Sequence, residues 1–279
     1  MDQRITVGHS PDPDDAFMFH GIAAGKVDTA GFEIEQLLED IESLNHRCIE
    51  GRIEVSAVSI HAYAHLTHTY ALMHCGASMG DGYGPRIVAR KPVSPDELVR
   101  MTIAIPGTLT SAFLALQLYL GKPFEYRVVP FDRILEAVRD HEVDAGLVIH
   151  EGQLTYGDYG LSLITDLGVW WGEKTGGLPL PLGGNVVRKD LGDEAMSTLT
   201  RVIRDSINYG LDHRKEALDY AIGFGRGLDY ELNDEFVGMY VNDLTRDYGE
   251  RGRRSIELFL AEGAAAGLVP PINGLKFVD

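Results

Sequence analysis

His150 closes the apolar run Ala145-Gly-Leu-Val-Ile149 and is followed by Glu151-Gly152. Such a run reads as a buried strand, so the imidazole stands at its carboxyl end. An imidazole titrates near neutral pH and is the usual general base. A lone histidine is more often structural, but a second residue occupies the equivalent place. Leu44–Ile60 and Ile134–His150 are the same unit, a helix, a short acidic turn and a buried strand, one carrying Ser59 at its end and the other His150. Ligands of open parallel sheets bind beyond the carboxyl ends of strands. Two similar α/β lobes would therefore present Ser59 and His150 to one shared cleft. The plainer alternative is that any βα unit has an acidic turn and an apolar strand.

Pro106-Gly-Thr-Leu-Thr-Ser-Ala-Phe113 falls between a strand pattern and a helix pattern, which puts Thr110 and Ser111 in the first helical turn. Free backbone N–H groups, two hydroxyls and the positive end of the helix dipole make a carboxylate site there; simple N-capping is the alternative. Other constellations carry less. His61, His65 and His68 share a face only if their segment is helical, and no Glu or Cys completes a metal frame, so a plain surface or lobe-edge histidine face is expected. His150-Glu-Gly-Gln-Leu154 lacks the second histidine of a zinc-protease helix, and no metal is expected. Gly80, Gly82 and Gly84 are followed by Pro85 and a strand-like Arg86-Ile-Val-Ala89 rather than a helix, which reads as a hinge rather than a phosphate cradle. No Gly-x-Ser-x-Gly elbow supports a serine nucleophile.

The elements that must position these residues alternate. Strands are expected at Arg4–Val7, Phe32–Leu38, Ile53–Ile60, Ala71–Met73, Ile87–Arg90, Thr102–Ile105, Tyr126–Val129, Ala145–Ile149 and Asn185–Arg188. Helices are expected over about Ala16–Gly25, around Ile41, Leu44 and Cys48, over about Leu109–Leu120 and over Asp132–Arg139, followed by a helical tail. That order gives an α/β fold with largely parallel sheets. Gly80–Pro85 and Gly176–Gly184 are two flexible crossings, so residues 1–90 begin a first lobe, 91–182 form an inserted second lobe, and 183–279 return as a helical segment completing the first. A dimer contact is the other role for that segment. Glycine-rich crossings can absorb the rotation of a closing cleft.

Length and charge agree with small-molecule chemistry. The 279 residues carry 25 Lys and Arg against 42 Asp and Glu, a net charge of −17. A field of that sign disfavours nucleic acid and anionic membranes, and the densest basic run, Arg251-Gly-Arg-Arg254, lies between Glu250 and Glu257. Two cysteines, Cys48 and Cys75, give no disulfide framework. No eighteen apolar residues run together, and the first residues lead into a strand without an apolar leader, so a cytoplasmic location is expected.

Several segments occur in family order. They are His9-Ser-Pro-Asp-Pro-Asp-Asp-Ala-Phe-Met-Phe19, Glu54-Val-Ser-Ala-Val-Ser-Ile-His-Ala-Tyr63, Gly107-Thr-Leu-Thr-Ser-Ala112 and Ile149-His-Glu-Gly-Gln-Leu-Thr-Tyr156. With Asp166-Leu-Gly-Val-Trp-Trp171 and Leu178-Pro-Leu-Pro-Leu-Gly183, the chain from about residue 4 to about 190 closely resembles the 1,4-dihydroxy-6-naphthoate synthase family of the futalosine route to menaquinone. The resemblance implies a two-lobed, periplasmic-binding-protein-like α/β fold with a ligand cleft between the lobes. It implies a carbon–carbon lyase that splits cyclic dehypoxanthine futalosine into 1,4-dihydroxy-6-naphthoate and dihydroxyacetone without a cofactor. His150 matches the family's general base; Ala57, Val58 and Ser59, with Thr110 and Ser111, match its substrate-contacting segments. Asp14, from the first motif, is the remaining candidate substrate-binding residue. The implied partner is a small carboxylate-bearing substrate, with a homodimer left open.

The chain also departs from the family pattern. Ser-Pro-Cys-Pro-Asn-Asp-Thr is the commoner first motif, where Asp12, Asp14 and Ala16 stand here; lysine is common at Ala57 and threonine at Ser111. Losing a lysine removes a cation from an anion pocket. Two alternatives share the implied fold: a solute-binding protein for a small anion, and the sister enzyme chorismate dehydratase. The strand-end histidine favours an enzyme over the first, and the His-Glu-Gly and Leu-Pro-Leu-Pro-Leu-Gly passages favour the synthase over the second.

Overall fold

The computed structural model describes residues 3–225, 228–272 and 274–279. The chain opens with β1 (Gln3–His9), α1 (Pro13–Ala23), β2 (Phe32–Leu38), α2 (Ile41–Ile49), β3 (Val55–Ser59), the single turn α3 (Ile60–Tyr63), β4 (Tyr70–Met73) and β5 (Ser78–Gly80). It then runs through β6 (Arg86–Ala89), α4 (Pro95–Leu98), β7 (Thr102–Ile105), α5 (Ser111–Leu120), β8 (Glu125–Val128), α6 (Ile134–Arg139), β9 (Ala145–Val148), α7 (Gly152–Thr155), β10 (Ser162–Asp166) and α8 (Leu167–Thr175). It closes with β11 (Leu180–Arg188), α9 (Asp193–Asp212), α10 (Arg214–Ala221), α11 (Tyr230–Tyr240), α12 (Asp243–Arg246), α13 (Gly249–Ala265) and β12 (Phe277–Val278). No described helix is long and apolar enough to cross a membrane.

Two sheets result. One has the order β12-β4-β11-β3-β1-β2 with β5 paired to β11, and the other the order β10-β6-β9-β7-β8. Each is built on a parallel trio, β2-β1-β3 in the first and β8-β7-β9 in the second. The α2–β3 and α6–β9 units, similar in sequence, hold equivalent places in the two trios.

The sheets are mixed, however, not largely parallel. β11 runs antiparallel to β3, β4 and β5, and β6 runs antiparallel to β9 and β10. The reason lies in how the chain travels. β3 and β9 point their carboxyl ends at the space between the sheets. β6 and β11 carry the chain across that space and enter their sheets from the same side, so they must run away from it. The registers show this directly: Arg86 lies opposite Val148, and Gly183 opposite Ser59. Arg86–Ala89, which a boundary at residue 90 would leave with the first lobe, belongs to the second sheet. Leu180–Gly184, expected as part of a flexible crossing, is the first half of β11, with Leu180 and Pro181 buried.

Local signals explain the main helices. The Asp40 side chain accepts from Ser43 N–H at the start of α2, and Thr110 accepts from Phe113 N–H at the start of α5. Asp166 accepts from Gly168 and Val169 N–H to begin α8, a helix that the Gly- and Trp-rich composition of this stretch conceals. Gly121 and Gly176 end α5 and α8 in the left-handed conformation that glycine adopts without strain. In α9 the buried positions Met196, Leu199, Ile203, Ser206 and Gly210 recur every three or four residues, so one face packs onto α1. Trp171 of α8 is wholly buried, stacks edge-on to Phe259 at 5.4 Å and donates from Nε1 to Ser255 Oγ at 3.1 Å, which ties α8 to α13.

Candidate active site

Four strand ends meet at a cavity of about 740 Å³, counted with its open mouth. The loop after β1 brings Ser10, Asp12, Asp14 and Asp15; β3 brings Ala57, Val58 and Ser59; the β7–α5 turn brings Thr110 and Ser111; the end of β9 brings Ile149 and His150. All seven residues singled out from the sequence, Asp14, Ala57, Val58, Ser59, Thr110, Ser111 and His150, therefore line one space. This is what alternate parallel strands pointing into a crevice produce.

His150 adopts φ +52°, the left-handed region that non-glycine residues rarely occupy. That conformation costs on the order of 1–3 kcal/mol and persists only where the surroundings enforce it. Here Gln153 does so. Its backbone N–H donates to His150 O at 3.1 Å, and its carboxamide, oriented so that both ends are satisfied, accepts from His150 N–H at 3.2 Å and donates to Gly84 O at 2.6 Å. Tyr240 OH donates to the same carboxamide oxygen at 2.9 Å. The His150 ring packs edge-on to Phe131 with centroids 4.8 Å apart, and its Nδ1 lies 3.6 Å from Asp12 Oδ2.

The carboxylates opposite are buried. Asp15 accepts from Ser10 N–H at 2.7 Å, and Ser10 Oγ donates to Asp12 Oδ2. Burial first, then the proximity of Asp15 and Asp12, pushes the Asp14 carboxyl up to about 8. Burial pushes Asp15 up to about 7, against the Ser10 hydrogen bond that holds it down. Asp14 Oδ1 has no hydrogen-bond partner among the described residues. Near neutral pH this wall can thus offer a carboxylic acid proton as well as acceptor oxygens.

The rest of the lining is rich in neutral hydroxyls. Ser59 is held by Asn45, which donates from Nδ2 to Ser59 Oγ at 3.1 Å and accepts from Ser59 N–H at 2.9 Å. The Thr110 hydroxyl is engaged in capping: it donates to Gly107 O at 2.9 Å and accepts from Phe113 N–H. The Ser111 hydroxyl ties the lobes, donating to Leu182 O at 2.5 Å and accepting from His61 N–H at 3.1 Å. At these two positions the cap and the tie use the hydroxyls, and the start of α5 contributes its backbone N–H groups. No lysine or arginine is among the described residues lining the cavity. Glu42 of α2 also spans the gap, accepting from Leu109 N–H at 3.2 Å.

The three spaced histidines do not share a face, because α3 ends at Tyr63. His65 and His68 are exposed, but His61 is buried, with Nδ1 3.1 Å from Thr110 O and its basicity lowered by that burial to about 4. Of the expected surface or lobe-edge face, His61 therefore takes the lobe-edge place, with the His65 ring 6.2 Å away, and it is not a surface residue. Among the described residues no three His, Cys, Asp or Glu side chains are grouped to hold a metal ion. Sequence reasoning missed Asn45, Gln153, Phe236 and Tyr240. Asn45 carried a signal, a polar residue on the inner side of a helix within the repeated unit; Phe236 and Tyr240 of α11 carried none.

Two α/β lobes, each a parallel trio closed by an antiparallel strand and together enclosing a polar cavity, make this a periplasmic-binding-protein-like protein. Solved structures bear this out at the level of the fold. They include the ligand-binding component of an ABC-type import system from Staphylococcus aureus, at 15% identity and TM-score 0.73 over 100% of this chain and 97% of that one. The alkanesulfonate-binding protein of Xanthomonas axonopodis pv. citri matches at 11% identity and TM-score 0.72 over 96% and 94%. A protein of Archaeoglobus fulgidus is far nearer, at 47% identity and TM-score 0.91 over 95% and 98%. Residues 5–265 match the family described as menaquinone biosynthesis, and the chain belongs to that family. It is 40% identical to the 1,4-dihydroxy-6-naphthoate synthase of Thermus thermophilus, over 99% of this chain and all of that one, and 35% identical to the enzyme of the same name from Streptomyces coelicolor, over 96% of each.

Proposed function

We propose that the protein is a carbon–carbon lyase that converts cyclic dehypoxanthine futalosine to 1,4-dihydroxy-6-naphthoate and dihydroxyacetone, with His150 as general base. The observation that carries the assignment of the base is the main chain of His150, held by Gln153 at φ +52° so that the imidazole lines a cavity enclosed by two lobes. Family membership supports the overall reaction. In the proposed step His150 takes a proton from the substrate, the carbon–carbon bond breaks, and formation of an aromatic ring drives the reaction forward.

The rest of the cavity orients and shields. With no lysine or arginine among the described residues of its lining, the substrate carboxylate is held by neutral donors, the N–H groups at the start of α5 and the Ser59 hydroxyl. The buried acids Asp14 and Asp15 suit hydroxyl groups at the other end. Placement of the substrate against one imidazole in the cavity between the lobes favours reaction by proximity, and closure of the mouth over bound substrate would exclude water.

The test is incubation of the purified protein with cyclic dehypoxanthine futalosine while following naphthoate absorbance. Product should accumulate with the wild type and fall by at least about 100-fold in His150→Ala, the usual scale of a lost acid–base group. Turnover of chorismate instead, or a saturable thermal shift without turnover, would overturn the proposal.

A further inference from the structure

We infer that Asp12 is the positioning residue for His150, facing Nδ1 of the imidazole so that Nε2 is left as the basic nitrogen. This rests on the reading of His150 as the base. The first support is where the carboxylate does not go. Asp12 occupies the N-cap position of α1, with φ −116° and ψ 156°, the place where an aspartate ordinarily accepts from N–H groups of the first turn. Its side chain makes no such cap. It turns instead to the Ser10 hydroxyl and to His150 Nδ1, and a single oxygen, Oδ2, meets both.

The second support is rigidity on both sides of the pair. Pro11 and Pro13 flank Asp12, each fixing its own φ near −65°, and the Asp12 side chain is only 3% exposed. Across the cavity the His150 main chain is held by Gln153 and its ring by Phe131. The two groups come from different lobes, so the pair forms only where the lobes meet. A carboxylate opposite Nδ1 favours the tautomer with the proton on Nδ1, and Nε2 then keeps the lone pair that receives the substrate proton. At 3.6 Å the contact is longer than a hydrogen bond, as catalytic contacts often are before substrate tightens them. Asp14 adds a second carboxyl near the same ring but lies in the group whose protons are held by burial.

The experiment uses the full chain with nitrogen-15-labelled histidine, the His150 signals being assigned by their loss in His150→Ala. Wild-type protein should show His150 protonated at Nδ1. Asp12→Asn, whose amide can donate to Nδ1, should move the proton to Nε2 and lower kcat by at least about 100-fold with KM within about threefold, the pattern of a misoriented triad imidazole. A wild-type proton on Nε2, or an Asp12→Asn enzyme with kcat within threefold of wild type, would overturn the inference. Should Asp12→Asn fail to fold, the wild-type tautomer alone decides. Loss of the underlying reading is separable, because it would show as full turnover by His150→Ala, whereas an inactive His150→Ala beside an active Asp12→Asn removes only the role of Asp12.

Discussion

Asp14→Asn should stabilise the protein, and by an amount that grows with pH. The folded carboxyl sits at about 8, well above its ordinary 3.8, because burial and the neighbouring acids disfavour the charge. Below about pH 4 folded and unfolded chains both hold the proton, and the site costs nothing. As pH rises the unfolded chain gives it up first, so Asp14 lowers wild-type stability by about 1.4 kcal/mol per pH unit until the folded group itself ionises near pH 8, while Asp15, held up to about 7, adds a similar fall in both proteins. Asparagine has the shape of the neutral carboxyl and does not titrate. Between pH 5 and 7 the advantage of the variant should therefore widen by about 2.7 kcal/mol, two units of that slope. For a chain of this size the change corresponds to roughly 5–10 °C in Tm. Urea titrations of both proteins at pH 5, 6 and 7 read the gap directly. His61, lowered by burial, contributes with the opposite sign, losing stability as pH falls toward about 4, but it does so in both proteins and cancels. A gap that stays constant from pH 5 to 7 would show that Asp14 ionises normally and refute the argument.

Other residues make sharp demands of their own. Asn45→Ala leaves the buried Ser59 N–H unsatisfied and frees its hydroxyl; it should cost about 1–3 kcal/mol in urea denaturation and raise KM. A Cβ at Gly168 would lie 1.9 Å from the Tyr83 carbonyl oxygen, so Gly168→Ala must displace backbone and should cost about 3 kcal/mol or more, read as a loss of Tm or of soluble protein. Glu42→Ala removes the carboxylate that meets Leu109 N–H across the gap. It should raise KM severalfold while leaving kcat and Tm nearly unchanged, in steady-state assays beside thermal melts.

How far these features were legible varies with how local their cause is. The strand ends carrying Ser59 and His150 could be read because each belongs to a helix–turn–strand unit whose hydrophobic run has a visible end. Thr110 and Ser111 could be placed because a strand and a helix bracket them, although the structure employs their hydroxyls as a cap and an interlobe tie. The mixed character of the sheets could not be read, since the direction in which β6 and β11 enter depends on the path between lobes and not on their composition. The same holds for α8, whose Gly168 and Gly172 weaken a helical pattern that Asp166 and the buried Trp171 restore.

By itself the amino-acid sequence determined the alternation of strands and helices, the two similar units, the acidic surface and the strand-end histidine, because these follow from periodicity and residue type within short windows. Only the tertiary structure decided which groups face one another. It set Asp12 of one lobe opposite His150 of the other, brought Tyr240 from the far end of the chain onto Gln153, and buried three aspartates together. Contacts such as Asp12–His150, 138 positions apart, and Gln153–Tyr240, 87 apart, depend on how the two lobes close, and so does the proposed orientation of the base.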